Sequence, residues 1–232
     1  MNKILHSVLL AALVAAGLPA SAQTAASAAK PAAKPAAKAA PAAKAPFLIK
    51  GLRSAQWGMS EAEVRAAIAK DFKPADAAIT AFDNPAEKTH VVAVHLDGLA
   101  PAPGAVNITY IFGATSQKLI HVNVVWSTGP MPTQQERDQM AAGGVELSKY
   151  FLDQAWRAGA TGAGAAPDAS YFIFFQGADP QGSAVELRGA GISIVLKKGD
   201  APSQPTGPAT LRLAYYATTG ASDTAAIKPG SY

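Results

Sequence analysis

Two runs of eight residues set the narrowest limits on what this chain can fold into. Residues 105–112 (Ala-Val-Asn-Ile-Thr-Tyr-Ile-Phe) and 119–126 (Leu-Ile-His-Val-Asn-Val-Val-Trp) are rich in β-branched and aromatic residues and alternate apolar with polar, the period of a strand with one buried face. An antiparallel pairing of 112 with 120 and of 106 with 126 puts Val106, Ile108, Tyr110 and Phe112 on the same side as Ile120, Val122, Val124 and Trp126. Asn107, Thr109, His121 and Asn123 then share the other side, so the natural reading is a meander with one wet face. Residues 90–96 are a third strand candidate, and 169–176, 183–189, 191–198 and 209–217 supply four more.

A helix start stands ahead of each group of strands. Ser60 followed three residues later by Glu63 forms a capping box, with Met59 and Val64 placed as a hydrophobic staple. Val64, Ile68 and Phe72 give this helix a narrow apolar face, and it should end before Pro74. Thr133 and Glu136 repeat the box, and Met140, Leu147, Phe151, Leu152 and Ala155 give the second helix its stripe, with a stop expected at Gly159. Gly143 and Gly144 each cost that helix about 1 kcal/mol relative to alanine, so they mark a bend or a close packing contact. The expected class is α+β: two helix-then-antiparallel-strand units packed as one globular domain, an antiparallel sheet with helices on one face. Periodicity leaves open whether the halves, 47–128 and 129–232, share one sheet. In the strand at 171–175, Tyr171, Ile173 and Phe175 alternate with Phe172 and Phe174. It is apolar on both faces, hence either a central strand covered on both sides or part of an exposed groove.

The N-terminal region takes no part in this plan. Residues 1–22 have Lys3, an apolar stretch from Val8 to Leu18, and Ala20 and Ala22 before Gln23, the layout of a cleavable secretory signal and too short to cross a bilayer. Residues 23–46 are almost wholly Ala, Pro and Lys; Pro31, Pro35, Pro41 and Pro46 interrupt any helix, so a solvated tether is expected. Its four lysines carry the chain's basicity, since from Phe47 onward 15 Lys or Arg face 16 Asp or Glu. The globular part therefore gives no electrostatic reason to expect nucleic acid as a partner. There is no cysteine, which removes disulfides, thiolate nucleophiles and thiolate metal sites and leaves stability to a core. The expected address is the periplasm or the space outside the cell, as a soluble protein with no transmembrane segment after cleavage.

The string Trp57-Gly-Met-Ser-Glu-Ala-Glu-Val64 resembles the opening of small bacterial envelope domains. These are the outer-membrane lipoproteins of the β-barrel assembly machinery and the β-lactamase-inhibitor-like domains, in which Gly-Met-Ser or Gly-Met-Thr begins a helix. The match covers about fifteen residues and rests on Gly58, Met59, Ser60, Glu63 and Val64. It implies a non-catalytic interaction domain and transfers no functional residue. The lipoprotein cysteine and the inhibitors' cysteines are both missing here.

Catalytic signatures are absent from the sequence: there is no Gly-x-Ser-x-Gly, and the Gly159, Gly162, Gly164 run lacks the strand, lysine and hydroxyl of a phosphate loop. Glu61 and Glu63 are two apart on a helix, face different ways, and suit the helix dipole. Of the four histidines, His6 leaves with the signal and His90 reads as a strand-edge residue. His95 and His121 both fall on the wet face near Asn123, and would be the metal ligands if their strands were neighbours. The leading expectation is a periplasmic protein that binds an envelope protein or cell-wall component without catalysis. The alternative is a small-ligand or metal-ion carrier using the face around His95 and His121, with the cofactor, if any, left open.

Overall fold

The computed structural model describes residues 44–75, 78–167, 170–192, 205–218 and 223–224. The expected signal, nearly all of the tether, and positions 193–198 of the strand expected at 191–198 lie outside them.

The described chain opens on a hairpin of β1 (Gly51–Leu52) and β2 (Ala55–Gln56). Helix α1 (Glu61–Phe72) follows, and local chemistry sets its ends. The Glu63 carboxylate accepts from the Ser60 amide and hydroxyl, each at 2.7 Å. Lys73 stops the helix in the left-handed conformation at φ 49°, one residue ahead of Pro74. Val64 and Ile68 are fully buried, while the Arg53 guanidinium lies 4.6 Å over the ring of Phe72.

The strands are β3 (Ile79–Asn84), β4 (Thr89–Leu96), β5 (Ala105–Phe112) and β6 (Leu119–Ser127), then, after helix α2 (Gln134–Leu152), β7 (Thr161–Gly162), β8 (Phe172–Ala178), β9 (Ala184–Ala190) and β10 (Thr210–Tyr216). They form one eight-stranded sheet in the order β3-β4-β5-β6-β10-β9-β8-β7, antiparallel at every step. The last of the described strands thus sits in the middle, paired with β6 from Thr210↔Ser127 to Tyr216↔His121. A single register row, Ile79, Val94, Ile108, Val124, Leu213, Leu187 and Phe175, crosses the sheet, and all of it but Ile79 is buried. Each such side chain contributes on the order of 1.5–3 kcal/mol of burial, so the sheet supplies most of the core.

This corrects the expected α+β class. Among the described residues the chain is mostly antiparallel β, an eight-stranded sheet plus a two-stranded one with only two helices, and not a balanced pair of helix-strand units. The β6–β10 seam merges the halves, and the strands that tip the balance, β1, β2, β3 and β7, are short or largely exposed and carry little apolar alternation.

Two bulges account for the local departures. Val106 pairs with Trp126 as the alternation requires, but a shift between Ile111 and Phe112 sets Phe112 against Leu119, so Leu119 is buried where Ile120 was expected. In β8 a shift between Ile173 and Phe175 turns both Phe174 and Phe175 toward the core, where Phe175 stacks on Phe151 at 5.4 Å. The apolar strand is therefore second from the edge and not central.

Helix α2 is capped as its sequence requires: Thr133 Oγ1 accepts from the Glu136 amide at 3.2 Å and the Glu136 carboxylate accepts from the Thr133 amide at 2.7 Å. It ends at Leu152, seven residues short of Gly159. Its glycines serve close packing: a Cβ on Gly143 would lie 2.9 Å from Ala102, and one on Gly144 2.6 Å from the Phe174 ring. Arg137 reaches from α2 to the carbonyls of Gly191 and of Gly207, the latter at 3.0 Å. Gly191 itself needs φ 64°, since a Cβ there would meet the Pro208 carbonyl. Both helices lie on the core face of the sheet, α2 over β8, β9 and β10, and α1 where Glu61 approaches His90 of β4 at 3.2 Å. Ahead of Phe47, Lys44 is paired to Asp153 at 2.7 Å. Among the described residues no helix is long and apolar enough to cross a membrane.

Candidate functional site

With the helices on one face, alternation delivers a second set of side chains to the other. Across the central strands this set forms two register rows, Asn107–Val125–Arg212–Arg188 and Thr109–Asn123–Ala214–Glu186–Gln176. Arg212 is the hub. Its Nε and Nη2 donate to Asn123 Oδ1 at 2.9 and 2.6 Å, Nη1 donates to Glu186 Oε1 at 3.2 Å, and Nη2 reaches the Tyr216 hydroxyl at 3.3 Å. Arg188 approaches the same Glu186 oxygen at 3.7 Å and lies 5.3 Å over the Tyr171 ring.

Tyr216 in turn stacks on His121, centroids 4.3 Å apart. Burial, then the neighbouring Arg212 charge, pushes the His121 pKa down to about 4 against the opposing hydrogen bond to Asn123. His121 is thus a neutral, largely buried imidazole at ordinary pH, not the solvent-facing residue that strand alternation alone predicts. Its Nε2 is buried without a hydrogen-bond partner.

Depressions mark this face, three of them formed by described residues. One of about 710 Å³ is bounded by Arg157, Thr161, Gln176, Glu186 and Tyr216. A second of about 280 Å³ lies against His121, Ile111 and Tyr216 and is bordered by Asp223. The third, about 410 Å³, has Arg188, Arg212 and Tyr171 in its wall. Asp223 is locked in place by the turn between β5 and β6: its carboxylate accepts from the Thr115 and Ser116 amides at 2.9 Å each, and the Ser116 side chain first, then these amides, hold its pKa down at about 2.

The predicted pair of histidines is not assembled. His95 faces the same side as His121, but β5 lies between their strands and four residues separate them along the register, roughly 15 Å on strand spacing. His95 Nδ1 pairs with Asn107 Oδ1 at 2.9 Å, and among the described residues no group of three His, Asp or Glu converges as a metal site. His90 belongs to the core face, its Nδ1 2.7 Å from Asp83 and its Nε2 3.2 Å from Glu61, although Nε2 lacks hydrogen-bond geometry. Arg212, Glu186 and Arg188 were not singled out from sequence; the signal was there as charges at outward positions of the otherwise apolar strands 183–189 and 209–217.

No protein-family model, curated protein or solved structure matches this chain.

Proposed function

We propose that this chain is an exported, non-catalytic binding protein of the bacterial-type envelope, and that it engages its partner, an envelope protein or cell-wall component, through the helix-free face of its sheet. The observation that carries the reading is the Arg212 cluster. Arginine and tyrosine are the residues that dominate binding surfaces, and here Arg188, Arg212, Tyr171 and Tyr216 gather at the centre of one open face among three depressions. The leader-like residues 1–22 and the Ala/Pro/Lys tether support the address and a partner reached at a distance. A second reading, a small-ligand carrier, is favoured by one feature, the unpartnered Nε2 of His121 beside the 280 Å³ depression. Photo-crosslinking side chains placed at Asn107 or Gln176, on the open face, and at Val145 or Tyr150, on the exposed side of α2, test the proposal in intact cells. A discrete envelope adduct from the open-face positions alone is expected. Adducts from both sides alike, or from α2 only, rule the face out.

A further inference from the structure

Arg188 and Arg212 stand directly opposite each other on β9 and β10. Like charges in that arrangement repel, and among the described residues a single carboxylate, Glu186, lies within ion-pair distance of either. Among the described residues the cluster therefore keeps one positive charge in excess. That excess borders a cavity: among the described residues Glu186 is not part of the wall of the 410 Å³ depression, which the two guanidiniums share with the hydroxyls of Tyr171 and Thr210. Each of these groups can donate a hydrogen bond, and among the described residues of the wall none carries a negative charge. Val125 and Ala190 complete the wall with a small apolar surface.

We propose that this depression is a binding site for a small organic carboxylate, its oxygens held between Arg188 and Arg212 and its apolar body against Val125 and Ala190. The proposal rests on the open-face reading above and names the chemistry of one subsite within it. Guanidinium forks match the geometry of a carboxylate. A single negative charge balances the excess of one, whereas phosphate near neutral pH brings closer to two. Arg212 is already committed to Asn123, Glu186 and Tyr216, so it positions the site, while Arg188, held by one longer ion pair and the Tyr171 ring, is the more available donor.

The test is titration of the full-length chain with N-acetyl-L-alanine, with its neutral amide N-acetyl-L-alaninamide, and with inorganic phosphate, followed through the arginine Nε–H resonances. The carboxylate should shift Arg188 and Arg212 saturably, and the amide should leave them unmoved. Arg188→Gln should weaken binding at least tenfold with the remaining spectrum unchanged, and Arg188→Lys should recover part of it. An equal response to the amide, saturation by phosphate alone, or unaltered binding by Arg188→Gln overturns the proposal. Because this experiment reads the pocket in isolation, its failure alongside face-specific crosslinking would remove the carboxylate site and leave the binding face standing.

Discussion

Gly144 shows how one missing atom sets the distance between a helix and a sheet. Alanine at a helix interior position is worth about 1 kcal/mol over glycine, but here the added methyl would sit 2.6 Å from the buried Phe174 ring, and overpacking of that kind costs about 1–3 kcal/mol. Gly144→Ala is expected to lower stability in urea by about 1 kcal/mol, and Phe174→Leu in the same chain to return part of the loss; a net gain would mean the ring moves aside freely. His121 gives a pH signature. An unfolded histidine titrates near 6.5 and the folded one near 4, so on acidification the unfolded chain takes a proton that the folded chain refuses. Stability should be full above about pH 6.5, fall by about 2–3 kcal/mol as pH drops toward 4, and be flat in this respect below. Denaturation of the wild type and His121→Gln at pH 7.5 and 4.5 checks it, the variant losing less. At this scale the sequence was readable where the chemistry is local. Both capping boxes follow from residues three apart, but the depressed His121 and the Arg212 cluster depend on β10 lying beside β6, a pairing between residues some ninety positions apart.

Among elements, what sequence alternation could convey was the inner and outer faces of β4, β5 and β6; what it could not convey was a one-residue slip. The bulges between Ile111 and Phe112 and between Ile173 and Phe175 exchange Ile120 for Leu119 and bring two successive phenylalanines to one side, changes that a strict period of two excludes. The edge strand β3 is mostly exposed and shows no alternation to read. The turn between β5 and β6 depends on a distant side chain, the Asp223 carboxylate seated on its amides. Asp223→Ala should accelerate hydrogen exchange at Thr115 and Ser116 without affecting the amides of β8. Since that carboxyl stays ionised to about pH 2, the protection in the wild type should persist at pH 4. Equal exchange in the two chains at pH 4 would show that the turn holds itself.

For the whole molecule, the β6–β10 seam makes one cooperative body of what the order of elements reads as two similar halves. Each half satisfies the same pattern, so no count of helices and strands distinguishes two sheets from one; only the register does. A single unfolding transition, the same by fluorescence of the three tryptophans and by far-ultraviolet circular dichroism, is the expected behaviour. A chain ending at Pro208 should lack it, whereas separate halves would leave residues 47–128 folded. Placing β10 between β6 and β9 also orders events in time. A chain emerging amino-terminus first has β3 to β6 and β8 to β9 available but no bridge between them, and non-local pairing of this sort is slow in any case. Until Thr210–Tyr216 arrives the sheet cannot close, so the two groups of strands stay apart while the chain between β9 and β10 is made. Through that interval the facing edges of β6 and β9 have no strand between them, and such open edges are where a second chain can add by mistake.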